Sequence, residues 1–279
     1  MSKNFKATVL ERAVGRKLKA WRDGCDLSLA EAGVRVGFSA AKLSLMENAM
    51  QPSAPLDIMA LGYVYKIPTP AWQHVVHQAH HAETLRHTRS RENQIFDPAE
   101  DFPLLLAEAA LLRTFTTDGV PSIFQLTDYT AAKAHRDNPL NAAAVARLQE
   151  TWASRAAVED PIKVEAVFPE AVLHQVVGGQ RLLKAQLLHL MEVSALPDVS
   201  LRVVRHSAGA YPAMGCPFTW LSFSHHQHDD VVYMETFLRS DYFESSDQLK
   251  EVASRFSALW ALALDESASL ELIAEAAAI

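Results

Sequence analysis

Residues 27–51 read LSLAEAGVRVGFSAAKLSLMENAMQ, and the rest of the chain is interpreted from them. Ser28 followed three residues later by Glu31 is the capping-box spacing for a helix start. Leu29, Ala32, Val34 and Val36 supply apolar positions, and Gly37 then ends the helix in a tight turn. Ser39 caps a second helix, with Leu43 and Met46 three apart on one face. Two short helices joined by a glycine turn form a helix-turn-helix unit, whose second helix enters the major groove of DNA.

Working outward, a helix is expected from about Thr8 to Arg22, with Val14, Leu18 and Trp21 as its apolar stripe. Arg16, Lys17 and Lys19 face outward on it. After Gln51, Pro52 and Pro55 punctuate a loop. The segment to Pro68 reads as the last two of five helices, with Leu56, Met59, Ala60 and Val64 at core spacing. A helical stretch rich in histidine follows (His74, His77, His80, His81, His87), with Arg86, Arg89 and Arg91 near its end. Imidazoles three and four apart could hold a metal. No carboxylate or cysteine completes a ligand set, so a polar linker helix is the simpler reading.

In the order Leu27-Ser28, Ala32, Gly37-Phe38-Ser39, Lys42-Leu43-Ser44, Glu47-Asn48, residues 10–67 resemble the Cro/C1-type (xenobiotic-response-element) helix-turn-helix family. The resemblance implies that Arg22 pairs with Glu47 to hold the module together. It also implies a DNA interface of Ser28, Arg35, Ser39, Ala40, Ala41, Lys42 and Ser44, with Arg16, Lys17 and Lys19 on the phosphates. The chain departs from the family in two respects. Ala49 replaces the closing glycine, and Ala40, Ala41 and Leu45 stand where polar base-reading side chains are usual.

Charge divides the chain. Residues 1–95 carry 13 Lys and Arg against 8 Asp and Glu, a balance of +5, and residues 96–279 carry 13 against 25, a balance of −12. A basic head on an acidic body suits a protein of which one end meets phosphate. No apolar run approaches the ~20 residues of a membrane helix. The first residues lack a signal-peptide core. Cys25 and Cys216 lie far apart, and a cytoplasmic location is expected.

From Phe96 the composition turns to Ala, Leu and Glu. Helices are expected after Asp101, from about Thr127, and over 141–160, where Val145, Leu148 and Trp152 share a face. Val164–Phe168 and Val199–Val204 read as strands, and Phe218–Phe223 with Val231–Glu235 as a hairpin. A helix with Leu183, Leu187, Leu190 and Met191 on one side follows Gly178-Gly179, and helices close the chain from about Ser246 and from Glu266. The fold expected is mainly α with a small antiparallel sheet, in the α+β class. It is divided into a helix-turn-helix domain (1–67), a linker helix (68–95) and a C-terminal sensing and dimerising domain (96–279).

This second region resembles the C-terminal domain of the WhiJ-like regulators of actinobacteria. The resemblance runs through Glu108-Ala109, Val120-Pro121, Tyr129-Thr130-Ala131, Val177-Gly178-Gly179, Gln186-Leu187, His189-Leu190, Pro197-Asp198-Val199, Phe218, Val232-Tyr233-Met234-Glu235 and Ala263 to Ser267. It implies a transcriptional regulator whose C-terminal domain binds a small ligand or a small partner protein. Where the family reads Gly-Leu-Leu-Gln-Thr after the proline, this chain has Ser122 to Leu126, which alters the family's pocket or docking surface.

No Gly-rich phosphate loop, nucleophile elbow or paired-cysteine motif is present. His225, His226, His228, Asp229 and Asp230 crowd one hairpin tip, where a solvated loop is the simpler reading than a metal site. No catalytic residue, metal or cofactor is assigned. The reading leans away from an enzyme and toward a homodimeric regulator of double-stranded DNA with no membrane partner. The alternative is a descendant of such a regulator that no longer reads DNA and uses its C-terminal cavity as an interaction module or an enzyme, such as a cyclase of secondary metabolism.

Overall fold

The computed structural model describes residues 7–89, 98–133, 139–157, 161–224, 230–235, 240–244 and 246–278. The chain divides into two units, residues 1–97 and 98–279. Among the described residues no helix is long and apolar enough to cross a membrane.

The first unit contains helices α1 (Val9–Asp23), α2 (Leu29–Val36), α3 (Ala40–Glu47), α4 (Pro55–Val64) and α5 (Thr69–Arg89). Thr8 and Glu11 form a reciprocal capping box at the start of α1, and Ser28 and Glu31 form another on α2. These boxes satisfy amide groups that a helix start otherwise leaves unpaired. Gly37 takes φ 82, the left-handed conformation that lets the chain turn from α2 into α3. Ala49 takes φ 50 in the turn after α3, a conformation that costs an L-residue about 1 kcal/mol or more. This is where the resembling family has glycine.

Val14, Leu18, Trp21, Ala32, Leu43 and Met46 are buried together in one core. On α4 the buried residues are Ile58 and Leu61, followed by Tyr65, whereas Leu56 is 78% exposed and Met59 also faces solvent. Of the positions expected in the core, Leu56 and Met59 therefore point outward, while Val64 packs against it. The helix is apolar on nearly every side, so periodicity could not choose its inner face. Val34, expected among the apolar positions of α2, is 86% exposed.

Residues 52–68 hold one helix rather than two. The fifth helix is α5, expected as a linker, and it buries Val75 and Ala79 in the same core. A side chain on Gly62 would stand 2.8 Å from the Cβ of Trp72, so the glycine is what lets α4 and α5 approach. Arg86 closes the far end of α5 onto Glu11 of α1 in an ion pair.

The second unit contains α6 (Pro98–Glu108), α7 (Thr127–Lys133), α8 (Pro139–Ala156), the short α9 (Ala171–His174), α10 (Gln180–Ser194), α11 (Ser246–Leu262) and α12 (Glu266–Ala277). Six strands among the described residues form one sheet: β1 (Leu111–Phe115), β2 (Lys163–Pro169), β3 (Val199–Val204), β4 (Phe218–Ser222), β5 (Val231–Glu235) and β6 (Ser240–Phe243), in the order β3-β2-β1-β4-β5-β6.

The class is α+β, but the sheet is mixed, not antiparallel. β1, β2 and β3 run parallel, and β4, β5 and β6 add antiparallel strands on the other side of β1. The cause is the connections. Helices intervene between β1 and β2 and between β2 and β3, so each strand returns by a crossover; only the later strands can be joined by short turns. The central strand β1 falls where a short crossing segment was expected. Its sequence, Leu-Leu-Arg-Thr-Phe, follows a leucine-rich helix and carries only one β-branched residue.

One face of the sheet buries Phe115, Val167, Val204, Phe218 and Val232 under Phe256 and Leu259 of α11. Arg113 donates to Glu165 at 2.7 Å and lies 4.4 Å from the Trp220 ring, so its charge is met by a carboxylate and a π face. On the opposite face Phe102 of α6 packs against Tyr233, with ring centroids 4.7 Å apart. Along the edge strand β3, the Val203 amide donates to Ser269 Oγ and the Val203 carbonyl accepts from the Leu264 amide. The junction of α11 and α12 therefore covers an edge that could otherwise template pairing with another chain.

A glutamine network fastens the 3-10 turn Ser122–Phe124, part of the segment that departs from the resembling family. Gln186 is fully buried; its Nε2 donates to the Phe124 carbonyl at 2.9 Å and its Oε1 accepts from the Leu126 amide at 2.7 Å. Gln125 donates to the Val120 carbonyl, and Gln149 donates to the carbonyls of Ser122 and Gln125. An apolar side chain at 186 would strand a buried carbonyl and a partly buried amide. Gln186→Leu is therefore expected to cost about 2–4 kcal/mol in urea unfolding, with the loss seen as faster hydrogen exchange in α7 and α10. An unchanged midpoint would show that the network carries no stability.

Candidate functional site

The second helix of the two-helix unit, α3, is fixed from its inner side. The Arg22 guanidinium donates to both oxygens of Glu47, Nε to Oε1 at 2.7 Å and Nη2 to Oε2 at 2.8 Å. Its remaining Nη1 donates to the Leu27 carbonyl at 2.7 Å. Both side chains are nearly enclosed, with 11% and 5% of their surface exposed. A bidentate, desolvated pair of this kind fixes orientation as well as distance. The bonds to Glu47, more than any other cause, raise the Arg22 pKa above its already high value. Burial, and then the charge of Glu47, push the neighbouring Tyr65 hydroxyl up to about 12.

Gly15 makes the same junction tight. A Cβ there would stand 2.7 Å from the Glu47 carbonyl oxygen and 2.8 Å from that of Met46, so α1 passes directly over the end of α3. A second close approach ties α2 to the turn, where a Cβ on Gly33 would meet the Phe38 carbonyl oxygen at 2.5 Å.

The outer side of α3 is open at its start. Ser39, Ala40 and Ala41 are exposed, while Ser44 and Leu45 are half-buried. Ser39 Oγ accepts from the Lys42 amide at 3.1 Å, as an N-cap does. Ser44 accepts from the Asn48 side chain through its carbonyl at 2.8 Å. Ser28 is exposed, with its hydroxyl 2.6 Å from Glu31 Oε2, and its bonds hold the Glu31 carboxyl below the usual range.

Of the expected phosphate-facing cations, Lys17, Lys19 and Arg35 are exposed. Arg16, expected to face outward, is half-buried, because its position on α1 lies beside the stripe that enters the core. Lys42 is engaged within the unit. Its Nζ lies 2.9 Å from Asp57 Oδ2 on α4 and 3.7 Å from the centroid of the Phe38 ring. Sequence reading passed over Asp57. The available signal was its place in the first turn of α4, where a carboxylate is favoured by the helix dipole.

Elsewhere in the first unit, a cavity of about 160 Å³ opens between α1, the loop Pro52–Pro55 and α5. The ion-paired Glu11 and Arg86 line it, and burial holds the Glu11 carboxyl above its ordinary pKa. His74, His77, His80 and His81 all face solvent on α5. Among the described residues no group of three or more His, Cys, Asp or Glu is arranged to hold a metal ion.

His225, His226, His228 and Asp229 lie outside the described residues, as does Arg91. Asp230 accepts from Trp220 Nε1 at 2.9 Å and Ser222 Oγ at 2.6 Å, which fastens β4 to the start of β5. At the start of α10, Gly178 and Gly179 take φ 67 and 98. A Cβ on Gly178 would meet Ala132 of α7 at 2.9 Å, so here glycine serves packing.

The chain thus joins a five-helix unit, with a helix-turn-helix arrangement of α2 and α3, to an α+β unit built on a mixed sheet. Residues 99–275 match the family described as "Domain of unknown function (DUF5753)", and the chain belongs to that family. No curated protein and no solved structure matches it.

Removing Arg22 takes the bidentate counter-ion from the buried Glu47 carboxylate. Arg22→Ala is expected to destabilise the first unit by about 3–5 kcal/mol, whereas Arg22→Met with Glu47→Leu recovers most of the loss. Urea unfolding followed by hydrogen exchange in α1 and α3 measures both. Equal losses in the single and double variants would contradict the account.

Proposed function

We propose that this protein is a DNA-binding transcriptional regulator. In this reading the first unit docks α3 in the major groove, and the C-terminal unit binds a small ligand or a small partner protein. The carrying observation is the position of α3. Its inner side is clamped by a buried bidentate ion pair, and its first turn, Ser39 to Ala41, is left exposed. A helix held rigidly with a small-residue face outward suits docking into a groove that admits one helix. The basic balance of residues 1–95 supports the same reading. So does membership of residues 99–275 in the DUF5753 family, in the region that resembles the WhiJ-like C-terminal domain.

Affinity in this reading comes chiefly from phosphates. Lys17 and Lys19 on α1 and Arg35 at the end of α2 are the exposed cations that would supply it. Modules of this kind gain specificity as dimers on half-sites about one helical turn apart, and a homodimer in the cytoplasm is part of the proposal.

One observation favours the alternative, a regulator that has stopped reading DNA and works through its C-terminal unit as an interaction module or enzyme. The only Lys or Arg on α3, Lys42, is already paired with Asp57. Titration into labelled duplex at several salt concentrations separates the two. With three phosphates met by Lys17, Lys19 and Arg35, log K is expected to fall with log salt at a slope of about −3 per chain. Replacing both lysines by alanine should remove about 2 of that slope. Absence of binding even at low salt would overturn the regulator reading.

A further inference from the structure

We infer that Asp57 determines which base pairs this interface reads, by withholding Lys42 and leaving a methyl surface that selects thymine; the inference rests on the DNA-binding reading above. Helix α3 reads Ala-Ala-Lys-Leu-Ser-Leu-Met-Glu, so Lys42 is its only cation. To read guanine, a lysine amine must reach the O6 and N7 acceptors in the major groove. Here the amine is held from two sides, by the Asp57 carboxylate at 2.9 Å and by the Phe38 ring at 3.7 Å. The two ends of the ion pair are only 36% and 22% exposed, so solvent screens it incompletely.

Asp57 acts in a second way. Its carboxylate places a negative charge beside α3, and any approaching phosphate meets that charge together with a lysine that is already neutralised. What remains exposed on the first turn of α3 is Ala40 and Ala41, each offering a methyl group, and Ser39, whose oxygen already caps the helix. A methyl group has one distinctive partner in the major groove, the C5 methyl of thymine. The duplex this surface suits therefore carries thymine opposite Ala40 and Ala41, with no requirement for guanine.

The test compares the full-length protein, Asp57→Asn, and Asp57→Asn with Lys42→Gln. Each is used to select duplexes from a random pool, and each is then titrated on the selected duplexes across salt concentrations, with circular dichroism as the check on folding. The wild-type sites should carry thymine, and uracil in its place should weaken binding about fourfold, the worth of one buried methyl-sized group. Asp57→Asn should bind about tenfold more tightly and shift its selection toward guanine, the gain expected of one new lysine–guanine contact. Its salt slope should steepen by about 0.9 where the freed lysine instead meets a phosphate. Adding Lys42→Gln should erase these gains. If the wild type binds and Asp57→Asn keeps the same affinity, slope and sequence preference, the inference is overturned while the DNA-binding reading stands. If none of the three folded proteins binds any duplex at low salt, both are overturned.

Discussion

The first unit depends on the salt bridge between Arg22 and Glu47. Three donors of one guanidinium are spent on the end of α3 and on the backbone at Leu27, so one side chain sets the relation of α1, the loop into α2, and α3. The arrangement is possible because Gly15 lets the helices approach until α1 rests on the last carbonyls of α3. A buried pair contributes little net stability compared with an apolar filling of the same space. Its value is directional. Two parallel hydrogen bonds to a carboxylate fix an angle that apolar packing would leave free.

The outer side of α3 contrasts with this firm inner side. Its first turn carries alanines, where the family that residues 10–67 resemble usually has longer polar residues, and its only lysine is turned onto a neighbouring helix. In the proposed reading, the unit would meet DNA with unusually little hydrogen-bonding chemistry on this helix. Charge lies to the side instead, at Lys17, Lys19 and Arg35. In the proposed reading this favours binding through the backbone and through shape over a rich code of base contacts.

Much of this was legible in the sequence because local rules dominate there. Ser28 announces a helix start through Glu31 three positions on, and Gly37 marks a turn that requires positive φ. The stripe Val14, Leu18 and Trp21 has a single possible phase. The inner face of α4 was not legible, since a helix apolar on nearly all sides has no preferred phase; there Ile58 and Leu61 go inward and Leu56 outward. Strand β1 was hidden because leucines and an arginine suit a helix as well as a strand. Only the pairing of Leu112, Thr114 and Phe115 with strands more than 50 and 100 residues away in the chain determines it. The partnership of Lys42 with Asp57 was hidden for the same reason, since it depends on where α4 packs.

The central claim is that a rigidly held α3 presents its first turn to duplex DNA. Amide chemical-shift mapping of the full-length protein, titrated with a duplex from its own upstream region, tests it most directly. The account predicts shifts concentrated at Ser39 to Ser44, with smaller ones at Lys17, Lys19 and Arg35. The core amides of Leu18 and Leu61 should stay unmoved. Shifts confined to residues 98–279, or none at all, would contradict it.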